Sequence, residues 1–148
     1  MLYAIGFVLI GFISMELAGW FIHKFIMHGP LWPIHQSHHK PSKGPFELND
    51  IFSIFFGTTA VVLMILGYEQ LDYRFWIGTG ITVYGFSYFV FHDIIIHRRL
   101  KLIARPEHGV LRGIIRAHQA HHSDNKKKGV AAYGLFFVPF KFFKGGLK

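Results

Sequence analysis

Three apolar stretches, Leu2–Ile22, Ile51–Gly67 and roughly Phe75–Phe91, set the terms for anything this chain can fold into. A helix that crosses a bilayer needs about 17–25 apolar residues, and each stretch meets or nearly meets that length. Composition agrees: hydrophobic residues make up 51% of the chain and aromatics 18%, with 17 Phe, more than a soluble core of this size would use. A fourth stretch, Val130–Phe140, is too short to span upright and is expected to lie in the interface or to re-enter. Leu2–Ile22 lacks a basic leader and runs directly into His23 and Lys24 with no small-residue cleavage site, so it reads as a retained helix. The 148 residues therefore predict one domain, residues 1–148, and an all-α integral membrane protein with three to four membrane helices.

The charges predict how the helices are oriented. Of 16 Lys and Arg, Lys24, Lys40 and Lys43 follow the first stretch and twelve lie from Arg98 onward. Only Arg74 falls in the turn Tyr68–Arg74, beside Glu69 and Asp72. The positive-inside rule then places 23–50 and 98–148 in the cytoplasm and the 68–74 turn outside, as expected of a protein in a cytoplasmic membrane. The net charge of +8 reads as topology and attraction to anionic lipid headgroups, not as nucleic-acid binding. Cysteine is absent, which excludes thiolate zinc sites, iron–sulfur clusters, c-type haem attachment and disulfides.

Ten of the eleven histidines fall into two copies of one pattern. The first is His23 and His28, then His35, His38 and His39; the second is His92 and His97, then His118, His121 and His122. A three-crossing topology brings both sets to one membrane face. Imidazole is the commonest protein ligand for iron, zinc and copper, and ten nitrogen donors are too many for one ion but suit two. About five nitrogens per ion, with room for an open position, suits iron, although ligand type alone leaves copper and zinc open. His108 stands outside both copies and is not expected to be a ligand. The offsets are 69 for the first pair and 83 for the triplet, so the repeat could reflect duplication or convergence on one ligand geometry.

The spacings carry geometry. His-x2-His-His places its members within about 100° on one helical face. The triplets are expected on a short helical segment around Ile34–His39 and on an amphipathic helix, Leu111–His122. His-x4-His is less natural, because i and i+5 differ by about 140° on a regular α-helix. A wider, π-type turn or an unwound helix end is therefore predicted near His23–His28 and near His92–His97.

Other polar residues have two readings each. Glu16 sits in an apolar helix, seven residues before His23. It could accept a hydrogen bond from a ligand, or it could stay protonated or bond a neighbouring helix. Asp93 could orient His92, or it could cap or pair with Arg98. Asn49 and Asp50 precede the second membrane helix, where capping is expected, with support of a ligand as the other role. Tyr84 and Tyr88 lead at four-residue steps to His92 and read as packing, or as the lining of an approach to the metals.

The residues also resemble a known family. The runs Met15-Glu16, His23-Lys24-Phe25-Ile26-Met27-His28-Gly29, His35-Gln36-Ser37-His38-His39 and Lys43-Gly44-Pro45-Phe46-Glu47-Leu48-Asn49-Asp50 are similar to the bacterial β-carotene 3-hydroxylases. So are Tyr84-Gly85-Phe86-Ser87-Tyr88-Phe89-Val90-Phe91-His92-Asp93 and Arg116-Ala117-His118-Gln119-Ala120-His121-His122. These belong to the fatty acid hydroxylase/sterol desaturase superfamily of membrane di-iron oxygenases. The resemblance implies a non-haem di-iron monooxygenase that uses O2 to hydroxylate β-carotene to β-cryptoxanthin and then zeaxanthin. It also implies electrons from an external ferredoxin-type donor docking on the basic cytoplasmic face, and a substrate that enters from the bilayer. Alternatives are the same scaffold acting on a fatty acyl, sterol or keto-carotenoid-forming substrate, a membrane metal transporter, or a bis-histidine haem protein.

Overall fold

The computed structural model describes residues 1–40, 44, 46–106, 109–123 and 132–144. His108, the charged turn Lys126–Lys128, Val130 and most of the loop at 41–45 lie outside the described residues. Helix α1, Leu2–Phe21, continues into a π-helical turn at Ile22–Met27. A short helix α2, Trp32–His35, follows, and α3 spans Asp50–Gly67. Helix α4, Tyr73–Tyr88, continues into a second π-helical stretch, Phe89–Ile96, and α5 covers Gly109–Ser123. Among the described residues there is no strand.

Three helices are long and apolar enough to cross a membrane: Leu2–Met27, Asp50–Gly67 and Tyr73–Ile96. Their large apolar side chains face outward, among them Leu9, Ile13, Leu17, Ile54, Phe55 and Ile65. Small residues face inward, as expected where lipid is as apolar as the side chains and helices are held by close packing. Helix α4 lies between α1 and α3. A Cβ on Gly11 would collide with the Ile77 carbonyl and one on Gly80 with the Val8 carbonyl, so only glycine permits the α1–α4 crossing. On the other flank Gly78 meets Ala60 and Met64 of α3. Trp20 lies at the histidine end of α1 under the Lys24 ammonium, 4.8 Å from its ring centroid, while Tyr73 and Trp76 mark the other end. Aromatics at both ends suit the two membrane interfaces.

The antiparallel order brings the end of α1, the start of α3 and the end of α4 to one side. Helix α5 packs there through Ile114 and Ile115 against Ile95, Ile96 and Leu135. The stretch read as an interfacial or re-entrant segment is not helical over 132–139. It folds back on α1, and the backbone N–H groups of Phe136 and Phe137 donate to Glu16 Oε1 at 2.9 and 2.7 Å. A buried non-helical backbone needs such an acceptor, and a carboxylate in an apolar helix supplies it. The helices able to cross a membrane therefore number three among the described residues, at the low end of the expected range.

Candidate metal centre

Both His-x4-His pairs sit on π-helical turns. The N–H of His28 donates to the His23 carbonyl at 3.0 Å, and that of His97 to the His92 carbonyl at 2.8 Å. These five-residue hydrogen bonds widen the turn and stack each pair on one side, with ring centroids 5.1 Å apart for His23 and His28 and 4.5 Å for His92 and His97. The irregularity expected from the spacing is present at both places.

The histidines gather into two groups that could each hold a metal ion. One is His23, His28, His35, His39 and His121; the other is His38, His92, His97 and His118. Within each group one nitrogen per ring lies within 4.8 Å of all the others. The two sequence copies exchange members. His38, from the first copy, joins the second group, and its counterpart His121 joins the first. Applying the same exchange to every offset pair turns the first group into His92, His97, His118, His122 and His38. His122 is thus the remaining member of the second group by symmetry. Its ring lies 4.6 Å from His38, 4.7 Å from His97 and 4.5 Å from His118, and its Nε2 is buried without a hydrogen-bond partner. His39 and His122, related by the exchange, stack on each other at 4.4 Å between the groups.

Four rings have their orientation fixed by an acceptor at Nδ1. His23 donates to the Tyr133 carbonyl at 2.8 Å, His35 to Asn49 Oδ1 at 2.7 Å, His38 to Glu47 Oε2 at 2.9 Å and His92 to Asp93 Oδ1 at 2.8 Å. With the proton held at Nδ1, each Nε2 carries a lone pair aimed inward. Yet His23 Nε2 stands 3.0 Å from His35 Nε2, and His38 Nε2 stands 3.1 Å from His92 Nε2. Two lone pairs facing each other at that distance repel, and a second proton is disfavoured. Burial pushes His35 down to about 4, and burial with neighbouring imidazoles holds His38 well below the usual histidine range. A cation resolves the conflict. Nitrogens bound at right angles to one ion at about 2.1 Å stand about 3 Å apart. The residues present therefore fit a metal in each group.

The acceptors are themselves braced. Arg99 Nη2 donates to Glu47 at 2.7 Å and Nη1 to Asp50 at 2.8 Å, while its Nε lies 3.5 Å from Asp93. Arg98, with φ 56°, turns the chain next to Arg99, which reaches back to these carboxylates. Burial raises the Glu47 carboxyl above the usual range, and the Arg99 guanidinium pulls it back. Glu47 and Arg99 were not singled out for a role in the sequence, although Glu47 stood in the resemblance; the signal was an acidic residue nine positions after His38 and a cation just past His97.

The structure chooses between the two readings of the other polar residues. Asn49 makes no side-chain cap on α3; its oxygen is taken by His35. Asp93 pairs with His92 and Arg99, not Arg98. Asp50 accepts from Arg99 and from the Glu47 N–H at 2.9 Å. Glu16 touches no histidine; besides 136 and 137 it accepts from Tyr84 Oη at 2.7 Å, so it ties α1 to α4. Tyr84 is thus held by a hydrogen bond, and Tyr88 stacks on His92 at 4.2 Å.

A cavity of about 410 Å³ runs between α1, α3 and α4. Met15, Phe56, Ala60 and Leu135 make its walls apolar, Tyr84 and Tyr88 line it, and His23, His35, His38 and His92 close its end. Those four are the rings tethered at Nδ1, two from each group. A second space of about 270 Å³ reaches His97, His118 and His122 past Lys40, Arg105 and Gln119.

Geometry alone leaves the chemistry of such a centre open, and comparison with known proteins narrows it. The sequence pattern of the fatty acid hydroxylase family matches residues 8–143. The chain belongs to that family. Among its relatives, a β-carotene hydroxylase from Pantoea ananas is 38% identical over 89% of this chain and 75% of its own length. A β-carotene hydroxylase from Paracoccus sp. (strain N81106 / MBIC 01143) is 36% identical over 84% of this chain and 78% of its own. The chloroplastic β-carotene 3-hydroxylase 1 of Arabidopsis thaliana is 40% identical over 86% of this chain, which spans 42% of that longer protein. No solved structure matches this member of the fatty acid hydroxylase family.

Proposed function

We propose that the chain is a membrane monooxygenase that hydroxylates the rings of β-carotene, giving β-cryptoxanthin and then zeaxanthin, at a pair of iron ions. The observation that carries this reading is an apolar cavity between membrane helices that ends on histidines from both groups. The hydroxylase names of the relatives supply the reaction and substrate class. His23, His28, His35, His39 and His121 would hold one ion, and His38, His92, His97, His118 and His122 the other. The bound iron pair would supply reductive activation of O2, chemistry that no side chain can perform.

The rest falls to the protein. Tyr133, Asn49, Glu47 and Asp93 keep protons at the four Nδ1 atoms and so leave each Nε2 free to bind. The apolar walls exclude water and present a ring C–H to the histidine end of the cavity. One oxygen atom enters the C–H bond and the other leaves as water, with two electrons and two protons supplied from outside. The polar space at Lys40, Arg105 and Gln119 gives protons and water a route apart from the lipid route. The electrons would come from a ferredoxin-type donor at the basic face, which the charge asymmetry puts in the cytoplasm.

Expression in β-carotene-producing cells, with pigment analysis and iron determination on the purified protein, tests the reading. Zeaxanthin and about two iron atoms per chain are expected. Keto-carotenoids alone, or hydroxylated fatty acids with carotene untouched, would reject the substrate. One metal per chain, or full activity with zinc only, would reject the iron pair.

A further inference from the structure

The glycines of the membrane helices divide into two kinds. Gly11, Gly67, Gly78 and Gly80 have no room for a Cβ, because a neighbouring backbone occupies the place. Gly19, Gly57 and Gly85 are different. A Cβ on Gly57 or Gly85 meets nothing within 4 Å, and one on Gly19 meets only Tyr84 Oη at 3.7 Å. Helix packing does not require glycine at these three positions.

All three line the apolar cavity, one from each of its helices. Gly57 lies at the middle of the α3 face formed by Ser53, Phe56 and Ala60, and Gly85 lies between Ile81 and Tyr88 on α4; these neighbours also line the cavity. With residues on both sides facing the cavity, a side chain at either glycine would project into it. Gly57 and Gly85 are exposed and belong to the mouth, while Gly19 is half-buried, four residues before His23. Three helices thus each omit a side chain along the cavity, between its lipid side and the histidines.

We propose that Gly19, Gly57 and Gly85 determine specificity by setting the bore of this entrance, so that a bulky, methyl-substituted ring end can reach the histidine groups. The assignment rests on the carotenoid reading above. A straight acyl chain would pass a narrower opening, so side chains at these positions exclude ring ends first.

The test uses full-length protein in β-carotene-producing cells. Gly57→Leu and Gly85→Leu should each lower hydroxylated carotenoid about ten-fold or more at equal protein and iron content. Gly57→Ala and Gly85→Ala should give smaller losses in the same order, and they decide the matter if the leucine variants fail to accumulate. Gly6→Leu is the control: this α1 glycine also has open space, but it does not line the cavity, and its conversion should stay at the parental level. If the parent makes zeaxanthin and the Gly57 and Gly85 variants match it, the glycine assignment is wrong and the functional reading survives. If the parent leaves β-carotene untouched, the functional reading fails and the ring-width role fails with it.

Discussion

At the scale of single residues, the second nitrogen of the four tethered imidazoles matters as much as the first. His38 is aimed by Glu47, and Glu47 by Arg99, so the chain of support reaches the loop past α4. On the proposed reading, Glu47→Ala should therefore weaken iron binding by about 10–100-fold while leaving every histidine in place, measured as iron retained against a chelator. His121→Ala and His122→Ala should each abolish hydroxylation, because each removes a donor from a different group. Activity surviving in His122→Ala would show that the second group works with only His38, His92, His97 and His118. The ten histidines were legible in the sequence because their spacing is local. Of their supporting acceptors, Asp93 and Asn49 were open to that reading, whereas Glu47 and the Tyr133 carbonyl were not. Asn49 was expected to cap a helix because that is what its position favours, but buried His35 Nδ1 lies 2.7 Å away and takes its oxygen. Such pairings are tertiary, and no periodicity reports them.

At the scale of elements, the apolar runs gave α1, α3 and α4 to within a few residues, and the awkward His-x4-His spacing gave the two π-helical turns. What stayed hidden was the segment at 132–139. Its hydrophobicity suggested a membrane association, but its path depends on Glu16, far away in the chain, accepting two of its backbone N–H groups. The glycines also look alike in a sequence. Gly80 admits no side chain against Val8, so Gly80→Leu should cost about 1–3 kcal/mol or more through forced separation of α1 and α4. A thermal denaturation series in detergent, with Gly6→Leu for comparison, reads that difference. Equal melting of the two variants would mean that the helices part without penalty.

At the scale of the whole molecule, the metal-free protein gathers neutral imidazoles that resist protonation. Burial lowers His35 and His97 to about 4 and His39 and His122 to about 3. An unfolded chain takes up protons on these groups near pH 6.5, and the folded chain refuses them until pH 4 or below. Stability of the metal-free protein is then fully present above about pH 6.5 and should fall steadily as the pH drops toward 4. Melting temperatures across that window check the direction; a rise on acidification would mean that the rings are not buried as described. Bound metal should flatten the upper part of the curve, since it competes with protons for the same nitrogens.

The exchange of His38 and His121 between the two copies also bears on the order in which the molecule is made. Four members of the first group leave the ribosome together, before α3 exists, but the fifth does not appear until α5 is synthesised. The second group holds His38 from the earliest loop and waits equally long for His118 and His122. Neither half of the polypeptide carries a finished set. On the proposed reading, both ions must therefore seat after the last membrane crossing is in place, and a ribosome stalled before α5 would leave a nascent chain unable to complete either centre.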